Sequence, residues 1–205
     1  MTDHKSSKSQ QTQARMIEAA RDVFAREGYA DAALSEIIQK AGVTTGAVYY
    51  HFTDKKGLFQ AAAESLEQEI LDEVSRRVSG TGDAWDLFET AVLETLDICA
   101  RPDIMRIVFR EAPAVIGLRE WREIEVRYAF GLMQATVRDL AEAKLIITDA
   151  PDITSQILLG AVIEAAHTVA DSAQHAKSLN AAKSTLRTML RGLKRVPDNR
   201  THKGK

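Results

Sequence analysis

The residues of this chain best suited to chemistry with another molecule crowd into one short stretch: Thr44, Thr45, Gly46, Ala47, Tyr49, Tyr50, His51, Lys55 and Lys56. If the stretch is helical, Val48 and Phe52 fall four apart on one face and turn inward, leaving the others to the remaining surface. Thr45 and Tyr50 then offer hydroxyls, and Ala47 a methyl, to the edges of bases, while Gly46 lets the helix's amino end approach a groove floor. His51, Lys55 and Lys56 follow at once, and the helix beginning after Asp54 has free backbone N–H groups at its start, a combination suited to holding phosphates. Taken singly, each residue also has a plainer reading: Tyr49, Tyr50 and Phe52 as core aromatics, Lys55 and Lys56 as a solvated pair.

Positioning such a surface takes a particular scaffold. Residues 34–41 and 45–51 read as two short helices with Gly42 in the turn between them, the outline of a helix-turn-helix. Gly42 lacks a Cβ and can end the first of the pair in the left-handed conformation. Thr44 supplies a side-chain oxygen to cap the free N–H groups of the second.

The rest of the chain is helix vocabulary. Pro102, Pro113, Pro151 and Pro197 all lie in its second half, and apolar residues recur at spacings of three and four, as in Leu66, Ile70, Val74 and Val78. Breakers at Gly28, Gly42, Gly80 with Gly82, Pro102, Pro113 with Gly117, and Pro151 divide an all-α chain into helices near 11–27, 34–41, 45–51, 55–79, 84–101, 103–112, 118–143, 153–174 and 179–195. The expected architecture is a three-helix, helix-turn-helix head with its N-terminal arm over residues 1–54, then a body of about six helices over residues 55–205. The polar ends, residues 1–8 and 197–205, are expected to be disordered.

With 205 residues, 45% hydrophobic and 27% charged, the chain can bury a core, and wholly disordered or fibrous classes are excluded. A net charge of −2 means that any nucleic-acid surface has to be local. Residues 1–56 carry eight Lys/Arg against seven Asp/Glu, with Lys5, Lys8 and Arg15 grouped where an arm along a phosphate backbone would lie. The single cysteine, Cys99, excludes an intramolecular disulfide and a multi-thiolate zinc site. The start of the chain has no apolar signal segment, and the most apolar stretch, residues 157–163, ends at Glu164. A cytoplasmic protein with no membrane span is therefore expected.

Phe88, Met105, Phe109, Trp121, Tyr128 and Phe130 hold most of the large aromatic and thioether surface outside the head. A helical body needs such residues for packing, and the same residues suit a pocket for a small, largely apolar effector, with Met105, Phe109, Trp121 and Tyr128 the candidates to touch it. Arg106, Arg110, Glu111, Arg119, Glu120, Arg122 and Glu123 are interleaved with them, and one or two would anchor a polar group. In the last two helices, Ile153, Ile157, Gly160, Ala161, Glu164 and Ala165, then Leu179, Ala182, Leu186, Met189, Leu190 and Leu193, form stripes. They suit a four-helix dimer interface or, equally, closure of the chain's own core.

Signs of catalysis are weak. Glu164 and His167 resemble half of a di-iron carboxylate motif whose other half is missing, and His167, Asp171 and His175 share a face on adjacent turns, where ligands seldom converge on one ion. Cys99 reads as packing. No catalytic residue, cofactor or metal site is expected.

The string AGVTTGAVYYHFTDKKGLF, residues 41–59, resembles the signature of the tetracycline-repressor (TetR) family of bacterial transcription regulators. Arg15, Ile17, Ala19, Ala20, Phe24, Gly28 and Tyr29 extend the resemblance upstream, to cover residues 12–58. It implies a DNA-binding head of three helices, a long fourth helix leading into a ligand-binding body, and a homodimer made by the last two helices. It places Thr45, Gly46, Ala47 and Tyr50 at base-facing positions and Tyr49, His51 and Lys55 at positions that touch or support phosphate contacts. The implied partners are a palindromic double-stranded DNA operator, a small-molecule effector that releases it and a second copy of the chain; the implied role is repressor. An all-α binding protein or enzyme that has lost DNA binding is the alternative. Two residues depart from the family pattern. Ala32 and Ala33 replace a usual Thr pair, so the second helix lacks a capping hydroxyl opposite Glu36 unless Asp31 caps one turn earlier. Ile38 replaces a small alanine under the turn, which would set the two helices slightly farther apart.

Overall fold

The computed structural model describes residues 3–78 and 82–195, and over these residues the chain is all-α. In order run α1 (Asp3–Glu27), α2 (Leu34–Ala41), α3 (Thr45–His51), α4 (Lys55–Val78), α5 (Ala84–Cys99), α6 (Pro102–Ile104), a π-helical segment (Met105–Glu111), α7 (Ala112–Ile116), α8 (Leu118–Glu142), α9 (Pro151–Asp171) and α10 (His175–Leu193). The bounds from α2 to α5 follow the sequence reading within two residues. Elsewhere there are corrections. Residues 3–8, expected to be disordered, are the first turns of α1, because no Gly or Pro interrupts residues 3–27 and Lys, Gln and Arg are good helix formers. Gly80 and residues 197–205 lie outside the described residues.

In the head, Met16, Ala20, Val23 and Phe24 of α1 recur at helical spacing and are fully buried against Ile37 of α2, Val48 of α3 and Phe59 of α4. Phe24 meets Phe59 edge-on with ring centroids 5.0 Å apart, and Tyr29 meets Phe59 at 5.1 Å, contacts of about 0.5–1.5 kcal/mol each beyond their burial. Gly28 ends α1 at a φ of 84°, a conformation strained for any residue with a Cβ, and a Cβ there would lie 2.6 Å from Glu111 Oε1, so glycine is strongly favoured. α4 packs against α1, α5, α7 and α8, and the buried residues of head and body form one continuous core.

The greatest departure from expectation lies between residues 102 and 116. The helix expected to stop at Pro113 instead passes through it, by way of the π-helical turn. Proline at 113 cannot donate to the carbonyl of Phe109, and in an α-helix its ring would strike that carbonyl. The wider turn relieves the clash, and His167 Nδ1 stands 3.1 Å from the Phe109 oxygen in place of the missing donor.

α8 and α9 lie against one another, and α10 is tied to α5 by Lys183 with Asp97 and by Arg187 with Glu89. The end of α10 is pinned to the α8–α9 loop, where Ile147 N–H donates to Leu193 and Arg195 N–H to Leu145. By length and composition alone α9 passes for a membrane span, which the short run at 157–163 did not suggest; Leu158, Leu159, Val162, Ala166 and Val169 on it belong to the buried set.

Candidate nucleic-acid interface and ligand cavity

Gly42 closes α2 at φ 62° and ψ 42°, in the left-handed region, and its N–H returns to Gln39. Thr44 sits in extended conformation and its hydroxyl oxygen accepts the Ala47 N–H at 3.2 Å, so α3 starts where the sequence places it. Val48 and Phe52 are buried and α3 is thereby fixed in rotation. The opposite side carries Thr45 and Gly46, both exposed, with Tyr49 at 55% and Tyr50 at 81% exposure; Ala47 and His51 are half-buried at its margin. The plainer reading of Tyr49 and Tyr50 as core aromatics is excluded, and holds for Phe52. His51 meets the Tyr50 ring edge-on at 5.0 Å, which limits where that ring can swing.

The lysines beyond α3 divide. Lys55 Nζ lies 4.7 Å over the Tyr29 ring and donates to the Ala30 carbonyl at 3.3 Å, so it stays at the edge of the head beside α3. Lys56 reaches the other way, donating to the Ile116 carbonyl at the end of α7 at 3.1 Å. The start of α4 is also less open than expected, because the Asp54 carboxylate accepts the Gly57 N–H at 2.7 Å. Away from α3, the cations Arg21, Arg26 and Lys40 are paired with Glu69, Glu36 and Asp22. At α2, Ala33 is the N-cap and no side chain caps the helix, Asp31 included.

The body holds a cavity of about 690 Å³, partly open to solvent, between α4, α5, α8 and α9, a size that holds a drug-like molecule. Its wall is mainly apolar, with Ile70, Val74, Phe88, Val92, Leu140 and Ile163 among the lining residues. Of the four residues expected to touch a ligand, Phe109 lines this cavity. Met105 lines a separate cleft beside Arg106 and His175. Trp121 is buried in packing outside the lining, and the Tyr128 hydroxyl turns to Glu64 Oε2 at 3.2 Å, joining α8 to α4.

Two carboxyl groups that sequence reasoning missed lie in the cavity wall, Glu67 of α4 at 7% exposure and Glu125 of α8 at 3%. Burial, reinforced by the negative Glu125, pushes the Glu67 pKa up to about 8. His167 Nε2 stands 3.3 Å from Glu125 Oε1, and this carboxylate raises the imidazole's pKa against the effect of burial. Since a carbonyl only accepts, the nitrogen facing Phe109 carries a proton, so the full His167–Glu125 contact requires imidazolium or a protonated carboxyl. Burial also pushes the Cys99 thiol up, which is wrong for a thiolate nucleophile. The sequence signal for both acids was present: Glu67 falls on the stripe Ala63, Ile70 and Val74, and Glu125 on that of Trp121 and Tyr128.

The π-helical segment joins this cavity to the head. Arg106 donates to the carbonyls of Ala25, Arg26 and Glu27 at the end of α1, and Glu111 Oε2 accepts the Tyr29 N–H at 2.8 Å. Between them, Phe109 faces the cavity and Arg110 donates to the Ala170 carbonyl of α9 at 2.7 Å. His167 and His175 each face a backbone carbonyl, of Phe109 and Val169 respectively. The paired stripes of α9 and α10 are split. Leu186 and Leu190 close the chain's own core, whereas Ile153, Ile157 and Met189 are exposed.

Fold and site together define a helix-turn-helix protein of the transcriptional-regulator class. "Bacterial regulatory proteins, tetR family" matches residues 16–62, and "Tetracyclin repressor-like, C-terminal domain" matches residues 85–193. The crystal structure of a TetR-family transcriptional regulator from Pectobacterium atrosepticum aligns with a TM-score of 0.81 at 29% identity, covering 93% of this chain and 98% of that one. The transposon Tn10 TetC protein of Escherichia coli is 26% identical over 158 residues, 77% of this chain and 80% of its own length. The HTH-type transcriptional regulator YvdT of Bacillus subtilis is 30% identical over 115 residues, 56% of this chain and 59% of that relative, so this match spans less than two thirds of it. The chain belongs to the TetR family of transcriptional regulators, and is not an enzyme.

Proposed function

We propose that the protein is a cytoplasmic repressor that binds a palindromic DNA operator as a homodimer and is released by a small molecule in the cavity of the body. The observation that carries this reading is the rotation of α3: Val48 and Phe52 are buried while Tyr49 and Tyr50 stand out from the same short helix. A tyrosine as exposed as Tyr50 contributes nothing to the core, and its hydroxyl and ring are free to meet base edges. In this reading Thr45, Gly46, Ala47 and Tyr50 face bases, Tyr49, His51 and Lys55 serve phosphates, and Thr44 caps the reading helix while facing the backbone. The head and arm of residues 1–54 do the reading and residues 55–205 control it.

The exposed Ile153, Ile157 and Met189 support pairing through α9 and α10. Two copies would set their α3 helices in successive major grooves about 34 Å apart. An occupant of the cavity has two routes to the head. α4 runs from the cavity wall to Lys55, and the π-helical segment runs from Phe109 to Arg106 and Glu111, which hold the end of α1 and Tyr29. A coupling of about 1–3 kcal/mol between the sites is enough to lower operator affinity between several-fold and a hundredfold.

A mobility-shift titration with the DNA upstream of the chain's own gene tests the reading. Sequence-specific retardation is expected. Its absence at low salt across genomic fragments would instead favour an all-α binding protein that has lost DNA recognition.

A further inference from the structure

The cavity wall is mainly apolar, with Ser75, Thr95 and Thr136 as neutral polar members, and its two buried acids are incompletely partnered for buried charges. Among the described residues Glu67 has neither a hydrogen-bond nor an ion-pair partner, although it is 7% exposed. Glu125 has Arg122 Nη1 at 3.6 Å from one oxygen and His167 Nε2 at 3.3 Å from the other, yet that second oxygen, Oε1, is fully buried with no hydrogen bond. Among the described residues no lysine or arginine lines the cavity.

We propose that the effector is an organic cation, an apolar body bearing a protonated amine, and that Glu67 and Glu125 receive its ammonium group. The inference rests on reading the cavity as the effector site and adds the chemistry of the occupant. An ammonium group brings both the N–H donors that Glu125 Oε1 lacks and the positive charge that Glu67 lacks, in a low-dielectric space where charge-assisted bonds are strong. A neutral occupant supplies no charge, and an anionic one finds no lysine or arginine among the described lining residues to receive it. The hydrocarbon part of the molecule is received by Ile70, Val74, Phe88, Val92 and Leu140. Glu67 lies on α4, the helix that begins at the reading head, so the ammonium would pull directly on the element that positions α3. Glu125 lies on α8, and one ligand nitrogen between them would bridge the two helices.

Calorimetric titration with three matched probes, n-decylamine, n-decanol and n-decanoate, near pH 8 tests the proposal on the full chain. Decylamine is expected to bind about tenfold or more tighter than decanol, with decanoate weakest. Glu67→Gln and Glu125→Gln are each expected to erase most of that preference, by weakening decylamine far more than decanol. Thermal melting checks that each variant is folded, and either variant alone suffices for the comparison. Decanol or decanoate binding as tightly as decylamine, or an amine preference that survives both substitutions, overturns the amine assignment and leaves the effector cavity standing. Failure of all three probes to bind overturns both.

Discussion

Arg106 donates to the carbonyl oxygen of Arg26 at 2.8 Å, and through that bond a residue of the body closes the last turn of the head's first helix. The carbonyls at a helix C-terminus have no intrahelical donors, and this guanidinium takes three of them, with Ala25 at 3.1 Å and Glu27 at 3.2 Å. Phe109, three residues further along the same segment, faces the cavity. The residue that closes α1 and a residue of the cavity wall therefore lie less than one turn apart on the same segment.

Arg106→Met keeps the aliphatic stem and removes the three bonds together with the ion pair to Glu111. Urea unfolding is expected to show a loss of about 1–2 kcal/mol, the lower part of the range for charged donors because the side chain is partly solvated. Operator affinity in the presence of effector is expected to respond less than in the unaltered protein. Lysine at 106 restores little, since a point charge cannot reach three carbonyls in one plane.

Glu67 makes the stability of the unliganded protein depend on pH. Its pKa is about 8 when folded against an ordinary 4.5 in the unfolded chain, so the folded state holds the extra proton between these values and stability falls as pH rises from 4.5 to 8. The slope is at most about 1.4 kcal/mol per pH unit. The groups around it are Glu125 from α8, Tyr128 also from α8, and Cys99 from α5. His167, whose raised pKa adds stability below its ordinary value that is lost as pH rises through the folded one, slopes the same way. Glu67→Gln is expected to flatten most of the decline in chemical denaturation measured across this range; a decline that persists unchanged in the variant contradicts the assignment to Glu67.

Ala33 holds the N-cap position of α2 at φ −84° and ψ 126° with no side-chain cap, on an exposed site. Ala33→Ser fits that backbone and supplies the missing acceptor. A gain of about 0.5–2 kcal/mol is expected by thermal or urea unfolding. No gain would mean that the cap position is already satisfied in some other way.

Tyr50→Ala and Lys55→Ala separate base reading from phosphate holding. Tyr50 is so exposed that its loss is expected to leave the melting temperature unchanged while relaxing sequence preference. Lys55→Ala is expected to weaken binding to all DNA and reduce the salt dependence, and to lower head stability slightly through its lost contacts with Tyr29 and Ala30. Fluorescence anisotropy on operator and scrambled duplexes at several salt concentrations distinguishes the two; the same pattern from both variants contradicts the assigned roles.

What was legible in the sequence was what neighbours in the chain decide. Gly42, Thr44, Val48 and Phe52 set the turn, the cap and the rotation of α3 among themselves, and the missing cap at Ala33 could be read the same way. Pro113 misled because a proline usually ends a helix, and the π-helical turn that lets the chain pass it needs His167, 54 residues downstream and on another helix. Met105, Trp121 and Tyr128 have side chains that serve a core as well as a pocket, and only the packing of α4, α5, α8 and α9 separates the two uses. Glu67 and Glu125 stood in apolar registers, but nothing local showed that both registers meet in one cavity. Lys56 looked like its neighbour until α7 was placed beside it.

The most direct test of α3 as a DNA-reading helix repeated across a dimer is selection of bound duplexes from a random library by the unaltered protein, followed by sequencing. The expected result is an inverted repeat whose half-sites are centred about one helical turn, or a multiple of it, apart, lost from the selected pool when Tyr50→Ala replaces the original chain. Enrichment of no sequence, or of a single unrepeated site indifferent to Tyr50, would contradict it.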